Sequence, residues 1–309
     1  MTGDALRAEK VRKVYRTGGG PDVVALDEVS LSIQQGERVA LLGRNGAGKT
    51  TFLRIASTLL IPTSGHVEVF GHDVDRDPDS VRPLIAVVPQ EGKPFFHLTP
   101  REQVRTYLEA RGLGRSVARE RTEEALAQMD LFSVADRLSI TLSGGQRQRT
   151  MVATVIATEA PLLFLDEPTI GMDPFARRAV WESLRRLTRR GSTILLTTHY
   201  LDEADALSER LYIVERGRVL VEGTAETLKR QVGGSLRVTI AGGERLESSL
   251  ASFGPVSKRS GELDVITTPA RLAEIIALVE REKLEALVGP VTLEEAFLRV
   301  VGHSIDEES

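Results

Sequence analysis

The chain has 309 residues, enough for one large domain and a smaller one. Its 41% hydrophobic and 27% charged content is that of a globular protein, and 40 Lys and Arg against 44 Asp and Glu leave a net charge of −4, which gives no electrostatic footprint for nucleic acid. There is no cysteine, which excludes a disulfide framework and a thiolate metal site and suits a reducing cytosol.

The start, MTGDALRAEKVRK, lacks the apolar region of a secretory signal, and no apolar run approaches the roughly 18 to 20 residues that span a bilayer. Work at a membrane would therefore need a partner. Short β-rich runs come first: ALRAEKVRKVY, VSLSI and RVALLG. TFLRIASTLL (51–60) reads as a helix ended by Pro62. HVEVFG and LIAVV (84–88) read as strands around a Pro/Asp-rich connection. From Thr99 to about Ala135 the apolar positions Val104, Leu108, Leu113, Ala125, Leu126 and Met129 fit a helical period. LLFLD (162–166) and STILLTT (192–198) are unbroken apolar strands separated by a helix over 175–190, the pattern of a buried parallel sheet. QVGGS after Arg230 marks a boundary. Beyond it the tail reads as strand, helix, two strands, helix and a last helix over 292–300, a small α+β domain.

Gly43-Arg44-Asn45-Gly46-Ala47-Gly48-Lys49-Thr50, followed by Thr51, fits G-x-x-x-x-G-K-[S/T] between an apolar strand and a helix. Glycines let amides converge on an anion, and the helix start adds partial positive charge. Lys49 is placed for the β/γ-phosphates and Thr50 for Mg²⁺. In LLFLDEP, Asp166 ends a strand, where it can support the metal, and Glu167 follows, where it can act on a water; two acids closing a turn before Pro168 is the plainer alternative. His199 and Gln90 each leave a strand end, the ligand edge of such a sheet. His199 could reach a γ-phosphate or merely start a helix. Gln90 could reach Mg²⁺ or the lytic water. Tyr15 could stack on adenine or simply pack. The five histidines show no metal-ligand spacing. LSGGQ offers Ser143 as a cap hydroxyl, Gly144 and Gly145 for close approach, and Gln146, but no lysine and no metal ligand. It cannot hold a triphosphate alone. Phe95 and Phe96, in the Pro-flanked EGKPFFHLTP, either form a docking groove or pack on the adjoining helices.

Together these features resemble the nucleotide-binding subunit of an ABC transporter over about residues 5–230, with Tyr15, the phosphate loop, Gln90, LSGGQ, LLFLDEP, GMDP (171–174) and His199 in family order. TTHYLDEAD, GRVLVEGT and VTLEEAFLRVVG further resemble drug-export ATPases of the ABC type 2, daunorubicin-resistance-like class. The resemblance implies an α/β P-loop NTPase core over 1–230: a mixed sheet with helices on both sides, an antiparallel β subdomain and a helical signature subdomain at about 92–158. A small α+β accessory domain occupies 231–309. It implies ATP and Mg²⁺ as cofactors, Glu167 as base, Asp166 at the metal, His199 at the γ-phosphate and Gln90 as metal sensor. Asp173 falls on the loop that communicates between protomers. Two such subunits, as a homodimer or heterodimer, would face head to tail, each ATP lying between one P-loop and the other's LSGGQ. A separate membrane permease would hold them peripherally at the cytoplasmic face and recognise a drug, lipid or polysaccharide-like cargo. The alternatives are a soluble ABC-type ATPase acting on nucleic acid or ribosomes, disfavoured by the acidic balance and compact 50–142 interval, and an importer ATPase with a regulatory tail. Met172 for the usual leucine, Ala153-Thr154-Val155-Ile156, and proline at 161 depart from the family pattern in packing positions, not chemical ones.

Overall fold

A computed structural model of the chain describes residues 3–259 and 261–306, which divide between Glu222 and Gly223 into two units. In the first, β1 (Asp4–Tyr15) and β2 (Val23–Gln34) form a long antiparallel pair whose register shifts several times. β3 (Arg38–Leu42) runs directly into the phosphate loop and α1 (Lys49–Ala56). The helix is shorter than the sequence reading. Thr58, at φ +63°, takes the left-handed turn that closes it, and the amides of Thr58 and Leu59 cap carbonyls of the last turn. β4 (Ser64–Val69), β5 (His72–Asp73) and α2 (Pro78–Val81) follow, and β1, β2, β4 and β5 make a four-stranded sheet in the order β2-β1-β4-β5.

The second sheet carries the chemistry. β6 (Ile85–Val88), β7 (Leu162–Asp166), β8 (Thr193–Thr198), β9 (Arg210–Glu215) and β10 (Arg218–Gly223) join β3 in the order β10-β9-β3-β8-β7-β6. Pairs β3–β8, β3–β9, β7–β8 and β6–β7 are all parallel. Every residue of LLFLD and TILLTT is buried, as a parallel sheet covered on both faces requires. Because these strands run the same way, their C-terminal ends share one edge. α3 (Pro100–Ala110), α4 (Arg115–Gln128) and α5 (Gly144–Ile156) pack on one another as a helical group, while α6 (Pro174–Arg189) and α7 (Leu201–Leu207) flank β8. α3 starts on a capping box, Thr99 with Glu102, and Pro100 is its first residue.

The second unit contains α8 (Ala225–Arg230), β11 (Leu236–Ala241), α9 (Glu247–Leu250), β12 (Val256–Arg259), β13 (Glu262–Thr267), α10 (Pro269–Arg281), β14 (Ala286–Pro290) and α11 (Leu293–Asp306). Its antiparallel sheet, β12-β13-β11-β14, buries Val238, Ile240, Leu263 and Val265 against Ile275 and Val279 of α10. β14 is a strand that the sequence reading lacked. ALVGP has both a glycine and a proline, and its strand character comes from pairing with β11. α8 packs against α11, which is why the division falls before α8 and not after it.

Candidate nucleotide site

The shared sheet edge gathers side chains from four separate stretches of sequence. Residues 43–48 leave β3 and wrap the N-terminus of α1, with Gly48, at φ +104°, as its N-cap. A Cβ on Gly48 would lie 2.5 Å from the Ala25 carbonyl oxygen and 2.8 Å from Leu26, so only glycine fits there. Asn45, Gly46, Ala47, Gly48, Lys49, Thr50 and Thr51 line one cavity with Ala25, Gln90 and Glu167. The Lys49 ammonium is 6% exposed and donates to the carbonyls of Gly43 (2.8 Å) and Arg44 (3.1 Å). Burial lowers its pKa, and the negative charges of Glu167, Asp166 and Glu215 oppose that shift. The ammonium is thus curled back on its own loop.

Thr50 supports an all-oxygen cluster. Its hydroxyl donates to Asp166 at 3.1 Å and stands 3.4 Å from the Gln90 amide oxygen. The Thr197 hydroxyl also donates to the same Asp166 oxygen. Asp166 is 1% exposed and ends β7 beside Thr197 of β8. These donors are hard oxygens, and among the described residues no group of three or more His, Asp or Glu is placed to bind a metal without further ligands. A cation here would share its shell with phosphate.

Glu167 follows Asp166 at φ +52°, a left-handed backbone for a buried glutamate, which costs of order 1–3 kcal/mol. Its amide is held by the Thr197 carbonyl (3.1 Å) and hydroxyl (3.2 Å), and its carbonyl accepts from Ile170 N. The Gln148 side chain donates to the Pro168 carbonyl within the same turn. This backbone turns the carboxylate back toward the phosphate loop. One oxygen lies 4.0 Å from Lys49 Nζ, and the other is 2.6 Å from His199 Nδ1, outside hydrogen-bond alignment. His199 emerges after β8, as the strand pattern leads one to expect, and its ring contacts Tyr200 at 4.1 Å between centroids. No motif in the sequence points to Thr197 or Gln148. The only signals for them are the first threonine in LLTTH and a glutamine two residues past LSGGQ.

The signature residues, Asp173, Tyr15 and the two phenylalanines lie apart from this cavity. Ser143, Gly144, Gly145 and Gln146 do not line it. They begin α5, where Ser143 and Gln146 satisfy each other in a capping box (3.2 and 2.9 Å). Gly145 faces the Gly171 carbonyl, with 3.4 Å available to a Cβ, so the signature helix rests on the loop that leads to Asp173. Asp173 caps α6 by accepting from the amides of Phe175 and Ala176, both at 3.0 Å; the Ala176 bond foremost holds its carboxyl below the usual range. Tyr15 is 38% exposed at the end of β1, paired with Val23 and covered by the Lys13 ammonium at 5.5 Å. It does not line the cavity. Phe95 (70% exposed) and Phe96 (43%) lie in the loop before α3, with Ile140 N donating to the Phe96 carbonyl. Both phenylalanines therefore face solvent instead of completing a core. No helix among the described residues is long and apolar enough to cross a membrane.

Comparison with known proteins shows the family of the chain. A family model for ABC transporters matches residues 26–170. A daunorubicin/doxorubicin resistance ATP-binding protein of Streptomyces peucetius is 38% identical over 299 residues, 92% of this chain and 90% of that protein. The Nod factor export ATP-binding protein I of Sinorhizobium fredii is 37% identical over 289 residues, 93% of this chain and 84% of its own. Among solved structures, a dimeric ATP-binding cassette in a post-hydrolysis state with ADP and Pi superposes with a TM-score of 0.66 at 30% identity, covering 71% of this chain and 98% of that one. The chain belongs to the ATP-binding subunits of ABC transporters and is an ATPase of that family.

Proposed function

We propose that this subunit powers export of a drug, lipid or polysaccharide-like compound through a separate membrane permease, and that two ATPase subunits closing on ATP provide the stroke. The observation that carries the reading is the division of labour within the chain. Lys49, Thr50, Asp166, Gln90, Glu167 and His199 converge at one sheet edge, whereas Ser143–Gln146 begin a helix outside that cavity. Of the first-turn amides of α5, that of Gln146 is taken by the Ser143 hydroxyl, while those of Gly144 and Gly145 have no intrahelical acceptor and suit an anion presented by a second subunit. The drug-resistance and Nod factor export relatives support the direction of transport.

In this reading Gly43, Arg44 and the amides of residues 45–51 cradle the phosphates, and Lys49 gives up its loop carbonyls for the β/γ-phosphates. The hard-oxygen set of Thr50, Gln90 and Asp166 suits Mg²⁺, which when bound draws charge from the phosphates. Glu167 accepts the proton of the attacking water. His199 has Nδ1 turned to Glu167, which leaves Nε2 for the γ-phosphate. Tyr15 supports the adenine from outside the phosphate cavity, and Asp173 faces the partner ATPase. ATP closes the pair because it binds the closed form better, and hydrolysis removes that advantage. The exposed Phe95–Phe96 surface docks the permease, holding the protein peripherally at the cytoplasmic face of the membrane.

The test is Glu167→Gln. It keeps shape and removes the base, so ATP binding should persist, turnover should drop by about 10²–10⁴, and closed dimer should accumulate on ATP. Wild-type turnover in this variant would refute Glu167 as the base.

A further inference from the structure

Glu203 sits in the first turn of α7 and is wholly buried, yet it belongs to neither the phosphate cavity nor the hydrophobic core. Its surroundings consist of donors. One carboxylate oxygen accepts from the Thr169 hydroxyl at 2.7 Å and from Trp181 Nε1 at 3.2 Å. The Thr198 hydroxyl lies beside the carboxylate and favours its charged form, its own oxygen accepting the Tyr200 amide at 2.9 Å, while the second carboxylate oxygen is buried with no hydrogen-bond partner. Burial pushes the Glu203 carboxyl up, while Thr198, Thr169, Trp181 and the charge of Arg177 hold it back. Arg177 closes the cluster. Its Nη2 alone donates to both oxygens of Asp202 (3.0 and 2.9 Å), and the guanidinium lies over the rings of Tyr200 (4.7 Å) and Trp181 (5.3 Å).

The groups around the carboxylate, Thr169 and Trp181 bonded to it and Thr198 beside it, come from three stretches that carry the chemistry. Thr169 is two residues past Glu167, in the turn closed by the Ile170 amide on the Glu167 carbonyl. Thr198 immediately precedes His199. Trp181 lies on α6, the helix that Asp173 caps. We propose that Glu203 is a positioning residue for hydrolysis: its carboxylate binds the Glu167 turn, the His199 strand end and α6 into one register. The proposal rests on the reading of Glu167 as base and His199 as its neighbour. A buried side chain whose partners are all donors must be an acceptor, and an apolar residue of similar size would leave the Thr169 hydroxyl and Trp181 Nε1 without one. The left-handed Glu167 then depends on fewer ties, and its 2.6 Å approach to His199 loosens. Misplacement by about 1 Å can cost of order 10² in rate. Lys49 and the amides of residues 45–51 lie outside this cluster, so ground-state nucleotide binding stays the same.

The experiment is steady-state ATP hydrolysis by the full chain carrying Glu203→Ala, Glu203→Gln or Thr169→Val. Glu203→Ala should lower kcat by roughly 10- to 100-fold with KM for ATP within about 2-fold. Glutamine keeps the oxygen that takes both Thr169 and Trp181, so Glu203→Gln should restore kcat to within about 3-fold of wild type. Thr169→Val removes one tie without changing shape and should lower kcat in the same direction, even if the alanine variant does not fold. Wild-type kcat in Thr169→Val, or a KM rise with unchanged kcat in Glu203→Ala, overturns the proposal. A glutamine variant as slow as the alanine one also overturns it. Glu167→Gln measured alongside separates the two readings: full turnover there refutes the base, whereas its loss together with unaffected Glu203 and Thr169 variants refutes only the positioning role.

Discussion

Gly144→Ala tests the two-subunit site without touching the phosphate loop. Gly144 is the first residue of α5, and a Cβ built on it meets nothing within 4 Å in its own subunit. Alanine is the better helix former by up to about 1 kcal/mol, so the isolated fold should be as stable as wild type or slightly more so. For a unit of this size that corresponds to a melting temperature unchanged or raised by roughly 2–4 °C. In a closed dimer the same space would face the ATP held by the partner ATPase. A methyl group forced into a fitted contact costs about 1–3 kcal/mol, or roughly 5- to 150-fold in the closing equilibrium. ATP-dependent dimerisation, followed by light scattering in the Glu167→Gln background, should weaken by that factor, and turnover in the wild-type background should fall with it. The opposing signs exclude a folding defect as the cause. If Gly144→Ala dimerises and hydrolyses ATP like wild type, the glycine is only a helix start and the composite site is wrong.

Two further outcomes follow from local geometry. Gly48→Ala must hold φ near +104° and place a Cβ 2.5 Å from the Ala25 carbonyl oxygen; the conformational and packing costs together come to about 2–5 kcal/mol, and nucleotide titration should show at least roughly tenfold weaker binding. Melting near wild-type temperature with unchanged affinity would contradict this account. In the second unit, burial raises the Glu295 pKa, but the Thr292 hydroxyl and Arg237 outweigh it and leave the net shift downward from 4.5. Its stabilisation is therefore complete above that value and disappears as pH falls through the lower folded pKa. Glu295→Gln should destabilise this unit by about 1–3 kcal/mol at pH 7, with the gap to wild type narrowing in thermal melts as pH falls below 4.5. A gap that does not change with pH would refute the assignment.

Some of the protein's properties could be read from its residues in order. GRNGAGKT behind RVALL, LLFLD and TILLTT each state a local requirement: a glycine-rich turn before a helix, and apolar strands buried on both faces. Parallel strands then force their C-terminal ends to one edge, which is how Gln90, Asp166 and His199 could be anticipated beside Lys49. The incompleteness of LSGGQ was legible for the same reason, since a missing lysine is a property of the sequence itself. Other properties required the tertiary structure. α1 ends at Ala56 because Thr58 turns left-handed, although the apolar period continues to Leu60. ALVGP is a strand because β11 pairs with it. Glu167 faces Lys49 and His199 because Thr197, Gln148 and the Thr169 turn hold its backbone at positive φ. Thr169 and Glu203 are separated by 34 positions, and the bond between them exists only when β7, β8, α6 and α7 are packed. Periodicity and motifs record what a residue needs from its immediate neighbours, whereas a buried carboxylate is assigned its donors by packing.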